Sequence, residues 1–246
     1  MKKAYLFFIY IVTYIAMAGF LCSCHTNRVR GNGNIVSQEI SIRDYNELHI
    51  EGDNIELTYV QSDDVPYLKI ETDQNIMDML KVETDDKELT IKPKSKHTWI
   101  NPTRFVITTN STTLEEIKMA GGGNCNLGKG LTTNKLEISL AGGGTIRADS
   151  ITVNRLECEI AGSGEINLSG KAENMDIKSA GSCTIKAFDL LTDNLTCKTA
   201  GSCEIEITAN KEISAKMMGS GEIRYKGSPN IKGKSILGSG SITQVE

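Results

Sequence analysis

Three groups of residues have types and spacing that could do chemistry. The first is acidic: Glu116, Glu137, Glu157 and Asp176 recur at near-equal intervals, with Glu159 nearby and Lys118, Lys178, Lys198 and Lys216 two positions beyond the same repeat site. Carboxylates stacked ~4.8 Å apart on neighbouring strands can share a hard divalent cation. The interleaved lysines offer a simpler account, a solvated face on which opposite charges relieve stacked like charges. The second group lies in the segment from Pro93 to Pro102, which carries Lys96, His97 and the only tryptophan, Trp99. An aromatic ring flanked by basic residues in a loop is a contact anchor, and the same ring gains as much by covering the end of a core. The third group is the cysteines. Cys183 and Cys203 occupy the same site in adjacent repeats, where stacked strands would bring them ~4.8 Å apart at Cα, as a disulfide or as a stacked thiol pair. Cys125, Cys158 and Cys197 stand where other repeats carry Ile or Ala and read as small buried hydrophobes.

Several catalytic readings fail on their own requirements. Gly123-Asn124-Cys125-Asn126-Leu127-Gly128-Lys129 approaches a phosphate-binding loop, but Gly130 stands where Ser or Thr should hold magnesium. Gly142-Gly143-Gly144-Thr145-Ile146-Arg147 invites comparison with calcium-binding nonapeptides, yet Arg147 replaces the needed Asp and the period is wrong. Ser163, Ser182, Ser202, Ser220 and Ser239 form a ladder, but the three histidines, His25, His49 and His97, all lie outside the repeats, so no general base accompanies it. Turn hydrogen bonding explains five equivalent serines. No Cys-x-x-Cys spacing or Cys/His cluster points to zinc. The sequence therefore predicts no enzyme, no cofactor and no resident metal.

The elements that position these residues are set by a repeat. A small or apolar residue followed by Gly-x-Gly or Gly-Ser-Cys begins at Ala120, Ala141, Ala161, Ala180, Ala200, Met218 and Leu237, at spacings of 21, 20, 19, 20, 18 and 19 residues. A period near 20 is too short for two packed helices and suits one coil of a β-solenoid. Around each motif apolar residues alternate with polar ones, the periodicity of a strand with one dry face. Ile117, Ile138, Cys158 and Ile177 make one inward ladder, and Cys125, Ile146, Ile166, Ile185, Ile205, Ile223 and Ile242 make another. The predicted fold is all-β, a right-handed parallel β-helix with coils of about 20 residues; its six intervals would stack roughly 29 Å.

Residues 34–110 read as β-rich but irregular, the first coils of the same solenoid and a cap for its open end, with a separate sandwich domain as the alternative. Candidate strands are Ile35–Ile42, Glu47–Glu51, Ile55–Gln61, Tyr67–Thr72, Lys81–Thr84, Glu88–Lys92 and Arg104–Thr109, with a helical turn near Asn75–Leu80. Residues 111–246 form the regular repeat. Ahead of both, Lys2 and Lys3 precede an apolar run from Ala4 to Leu21, and Leu21-Cys22-Ser23-Cys24 resembles the lipobox of bacterial lipoproteins. The pattern predicts a signal peptide over residues 1–23, lipidation of Cys24 and a polar tether to residue 33. Without the leader the chain carries 25 basic and 31 acidic residues, a formal charge of −6. That mild acidity leaves no electrostatic footprint for nucleic acid.

The pattern Gly31-x-Gly33-x-Ile35, the later Tyr45-x-x-Leu48-x-Ile50, the strand-Gly-Ser-Gly repeats and the ending Gly219-Ser220-Gly221-Glu222-Ile223-Arg224-Tyr225-Lys226-Gly227-Ser228-Pro229 then Gly238-Ser239-Gly240-Ser241-Ile242 resemble the auto-transporter adhesin, head GIN domain family. The resemblance runs from Gly31 to Ile242, and Cys183 and Cys203 depart from its plain glycine pattern. It implies a β-helix-like fold on an envelope lipoprotein and carries no catalytic or binding motif. The reading of the whole chain is a non-enzymatic protein, held by its lipid in the envelope, in the outer membrane of a Gram-negative bacterium, that presents a polar face to a glycan or protein. A polysaccharide-active enzyme on a similar scaffold and a structural spacer are the alternatives.

Overall fold

A computed structural model describes residues 27–246, so the leader and Cys24 lie outside the described residues. The described residues are all-β apart from one short helix. In order it forms β1 (Asn27–Arg30), β2 (Ile35–Ser41), β3 (Glu47–Gln61), β4 (Tyr67–Asp73), α1 (Gln74–Met77), β5 (Leu80–Asp85), β6 (Glu88–Pro93), β7 (Thr98–Asn101) and β8 (Phe105–Ser111). The repeat region follows as β9 (Glu116–Lys129), β10 (Thr132–Gly162), β11 (Glu165–Gly219), β12 (Glu222–Lys226), β13 (Asn230–Gly238) and β14 (Ser241–Gln244). The lengths of β10 and β11, 31 and 55 residues, show that they are strand-paired runs spanning several repeats.

The repeats pair in parallel and in register. Ala120 lies opposite Ala141, Ala161 opposite Ala180, Ile146 opposite Ile166, and Ile223 between Ile205 and Ile242. Alternation fixes this register, because a slip of one residue would turn every Ile of a ladder into solvent. Ile117, Ile138, Cys158, Ile177, Cys197 and Ala215 are each at most 1% exposed, as are Ile146, Ile166, Ile185, Ile205 and Ile223. Ile242, in the last strand, is only half-buried.

The glycine motif marks where consecutive repeats come closest. Gly142 has φ 129°, and a Cβ there would overlap the carbonyl oxygen of Gly121 in the neighbouring repeat. Gly162, Gly181, Gly201, Gly219 and Gly238 repeat that relationship, each against the glycine one repeat earlier. The second glycine of the motif does a different job. A Cβ on Gly164 would run into the Leu140 side chain. Where Cys203 replaces that glycine, the residue equivalent to Leu140 is Ser179, and both Cys203 and Ser179 are buried.

The fold is all-β as expected, but the predicted parallel β-helix needs correction, because the sheet is mixed. β2 pairs antiparallel with β4, β4 with β8, and β5 with β6. The reason is local for β5 and β6: they are joined at Asp86 and Lys87, which have φ 42° and 74°. Two successive left-handed residues match a two-residue hairpin turn, and such a turn makes neighbours antiparallel. The N-terminal strands otherwise fall where the alternation predicts. Two segments are exceptions: Asn27–Arg30, in the polar stretch read as a tether, forms β1, and Thr98–Asn101, in the stretch read as a loop, forms β7, and the two pair in parallel.

β3 joins the two halves. Its first part lies between β6 and β9, and its second part pairs with β8 as well as β9. Beneath it the hydroxyls of Tyr45 and Tyr59 reach Thr109 Oγ1 and Ser111 Oγ, both at 2.9 Å, so two buried phenols keep partners. At the outer end the buried carboxylate of Asp73 accepts hydrogen bonds from the Gly33 N–H at 2.6 Å and from the Thr103 N–H and hydroxyl at 2.8 and 2.7 Å. Asp73 thereby ties the chain entering β2 to the chain entering β8.

Candidate functional site

The acidic ladder is longer than its four repeat members. β3 begins Glu47-Leu48-His49-Ile50, β6 begins Glu88-Leu89-Thr90-Ile91, and β9 begins Glu116-Ile117-Lys118-Met119. Each tetrad is acid, apolar, polar, apolar, so the strand period buries the second and fourth residues and leaves the first and third on one outer face. Parallel pairing aligns them, with Glu47 opposite both Glu88 and Glu116, and Glu137 opposite Glu116. Glu157 lies opposite Asp176. These pairings join Glu88, Glu47, Glu116 and Glu137 in one row and Glu157 with Asp176 in another, and Lys135 stands between Glu137 and Glu157.

The row is not uniform. Along the repeat region lysines and an arginine occupy it: Lys135 Nζ lies 3.1 Å from Glu137 and 3.6 Å from Glu157, Arg155 stands 3.9 Å from Glu157, and Lys178 reaches Glu159 at 2.5 Å. Hydrogen bonding to Glu137 raises the Lys135 ammonium above its ordinary pKa, against the opposing effect of burial, with Glu157 adding to the rise. Here bridging ammonium groups stand between the carboxylates, as the solvated-face account expects.

Where β6, β3 and β9 meet, the arrangement differs. His49 Nδ1 lies 2.9 Å from Glu88 Oε1, and His49 Nε2 lies 2.6 Å from Glu116 Oε1. Ligand atoms of Glu47, His49 and Glu116 all fall within 4.8 Å of one another, and all three side chains are half-buried. The Thr90 hydroxyl donates to Glu88 at 2.5 Å. That bond holds the Glu88 carboxyl below the usual range; burial opposes it and His49 reinforces it. Burial pushes the Glu116 carboxyl up, but Lys118 and His49 outweigh it and hold the group low. Lys118 also contacts Glu116 Oε1, and Glu116, Glu137 and Glu47 together raise its ammonium despite burial. Among the described residues this is the one cluster with three groups placed to hold a metal ion.

Sequence reasoning singled out Glu116 but passed over Glu47, Glu88 and His49. The signal was present in the shared tetrad, and it was hidden because β3 and β6 lie outside the 20-residue period.

The Trp99 segment is built otherwise. Lys96 and His97 are exposed, whereas Trp99 is half-buried in β7. Its indole N–H donates to Asp53 Oδ2 at 2.7 Å, and Arg28 of β1 holds the same oxygen at 2.9 Å. A Cβ on Gly121 would sit 3.2 Å from the Trp99 ring, so the ring lies against that corner glycine. The ring therefore covers a turn of the stack and is fixed by Asp53, which Arg28 holds in turn.

The structure joins Cys183 and Cys203 in a disulfide, with Cα atoms 4.6 Å apart. Cys125, Cys158 and Cys197 are free and buried. Burial pushes the Cys158 and Cys197 thiols up to about 12 and raises Cys125 further, so all three stay neutral and unreactive.

Comparison with known proteins agrees with this architecture. A solved structure from Parabacteroides distasonis ATCC 8503, described as a "putative lipid binding protein", is 36% identical over 89% of this chain and all of its own length, with a TM-score of 0.75. A "putative adhesin" from Bacteroides fragilis NCTC 9343 is 28% identical over 88% of this chain and 100% of its own, with a TM-score of 0.79. Another "putative adhesin", from Parabacteroides merdae ATCC 43184, is 27% identical over 89% of this chain and 100% of its own, with a TM-score of 0.68. No curated protein sequence matches. The sequence profile described as "Putative auto-transporter adhesin, head GIN domain" matches residues 44–229, which is most of the chain, and this protein belongs to that family.

Proposed function

We propose that this protein is a non-enzymatic adhesin of the bacterial cell envelope, anchored in the outer membrane of a Gram-negative cell through a lipid on Cys24. In this reading it holds out the polar face of a right-handed parallel β-solenoid to a glycan or protein partner. The supporting observation is the in-register stacking of the repeats, which aligns polar side chains at fixed intervals. Asn134 and Asn154 are bonded at 2.6 Å, Asn174 and Asn194 at 3.1 Å, and Glu165 and Lys186 at 2.9 Å. A rigid row of donors, acceptors and alternating charges suits an extended polar ligand, whose affinity comes from many weak contacts to a preorganised surface. The candidate contacts fall in two places, Lys96, His97 and Trp99 in the segment from Pro93 to Pro102 and Glu116, Glu137, Glu157 and Asp176 on the outer face of the repeats.

Binding of the purified protein to immobilised polysaccharides and matrix proteins tests this reading. Saturable retention that leaves ligand mass unchanged, and that weakens when Lys135 and Lys186 are changed together to Glu, is the expected result. Progressive release of shortened sugar from the surface would instead indicate a polysaccharide-active enzyme. A second reading, lipid binding, is favoured by the description of the 36% identical protein from Parabacteroides distasonis. Lipid co-purifying at constant stoichiometry would support it.

A further inference from the structure

We infer that Glu47, His49 and Glu116 form a binding site for a divalent transition-metal ion of the zinc type, with Glu88 orienting the histidine and Lys118 standing as its competitor. The inference is independent of the adhesive role. It begins with the two ring nitrogens of His49, each of which faces a carboxylate oxygen, at 2.9 Å to Glu88 and 2.6 Å to Glu116. A neutral imidazole carries one N–H. With that proton on Nδ1 and directed at Glu88, Nε2 turns its lone pair toward the Glu116 oxygen, where a cation can be held between them; a second proton on the ring satisfies the same contact, so an ion displaces that proton as well as Lys118.

A histidine whose outer nitrogen is held by a carboxylate, with its inner nitrogen aimed at further ligands, is the usual supporting arrangement around protein-bound metals. Imidazole together with carboxylates suits zinc and its neighbours in the first transition row, whereas calcium favours oxygen-only sets. The geometry is within reach. Zinc with bonds of about 2.0–2.1 Å at tetrahedral angles places its ligand atoms roughly 3.3 Å apart. The three ligand atoms here lie within 4.8 Å of one another on two adjacent parallel strands. An ion would open the 2.6 Å His49–Glu116 contact and draw Glu47 in by side-chain rotation, leaving the fourth position for water. Lys118, on the same Glu116 oxygen, supplies positive charge in the ion's absence and must withdraw when the ion binds.

The test is calorimetric titration of the untagged full-length protein in detergent with zinc chloride, paralleled by calcium chloride. Zinc is expected to bind saturably at one equivalent, and calcium much more weakly. His49→Gln should abolish zinc binding, Glu88→Gln should weaken it by about tenfold or more, and Lys118→Met should tighten it. The gain in Lys118→Met cannot be mistaken for a folding failure. Thermal melts without metal verify that His49→Gln is folded. Unchanged zinc affinity in His49→Gln, calcium binding equal to zinc, or unchanged or weaker binding in Lys118→Met would each overturn the proposal.

Discussion

Cys183 and Cys203 are bonded across adjacent repeats, with a sequence separation of 20 residues. Closing a loop of that size removes conformational freedom from the unfolded chain and stabilises a fold by roughly 3 kcal/mol. Replacing both residues with Ala is expected to lower the unfolding free energy by about 2–4 kcal/mol relative to the oxidised protein. Denaturant melts of the two proteins check this, and coincident curves would show that the bond does not constrain the unfolded chain.

The three glycines at positions 142–144 should differ sharply in tolerance. Gly142 combines φ 129° with overlap against the Gly121 carbonyl, whereas a Cβ on Gly143 would lie 3.6 Å from its nearest neighbour, the Ser163 carbonyl oxygen. Gly142→Ala is expected to cost several kcal/mol, and Gly143→Ala about 1 kcal/mol or less. Urea midpoints measured on the two single variants decide it; equal losses would contradict the close approach of the repeats.

Asp73 makes stability depend on acid. Burial pushes its carboxyl up, but hydrogen bonds from the Thr103 hydroxyl and from the backbone N–H groups of Gly33 and Thr103 outweigh burial and hold it below its ordinary value. A carboxyl depressed in the folded state contributes stability that is complete above its unfolded value, ~3.9, and is lost as the pH falls through the folded value. Asp73→Asn should cost about 1–3 kcal/mol at neutral pH and flatten the fall in stability below about pH 4. Melting curves of both proteins between neutral and strongly acidic pH provide the comparison, and parallel pH profiles would count against this assignment.

Inward and outward positions of one strand give a fourth contrast. Ile166 is fully buried, while the adjacent Glu165 faces outward to Lys186 at 2.9 Å. Ile166→Asp buries an unpaired charge and should cost several kcal/mol, whereas Glu165→Gln should change stability by less than about 0.5 kcal/mol. Chemical denaturation of each variant reads the difference, and comparable effects would mean that the faces had been assigned wrongly.

The repeat region was legible because two periods coincide there. A period of 2 assigns each side chain to a face, and a period near 20 places like residues side by side, so the pairing of Ile146 with Ile166 and the approach of Cys183 to Cys203 follow from counting. The N-terminal half lacks the second period. Its strands could be bounded by alternation and turn residues, but nothing local shows that Glu47 and Glu116, 69 positions apart, are paired neighbours. The same limit hid the role of Asp73, whose partners Gly33 and Thr103 lie 40 and 30 residues away. Trp99 reads equally as an anchor or as a cover in the sequence, because its bond to Asp53, 46 residues away, and its place against Gly121 are long-range contacts.

Presentation on the cell surface through Cys24 is the central claim, and labelling of intact cells tests it most directly. Cells expressing the wild-type chain or Cys24→Ser are fed a fatty-acid analogue and then treated with protease before lysis. The account predicts that wild-type protein carries the analogue and is cleaved on intact cells, and that Cys24→Ser carries none and leaves the membrane fraction. Full labelling of Cys24→Ser, or wild-type protein protected from protease until the cells are opened, would contradict it.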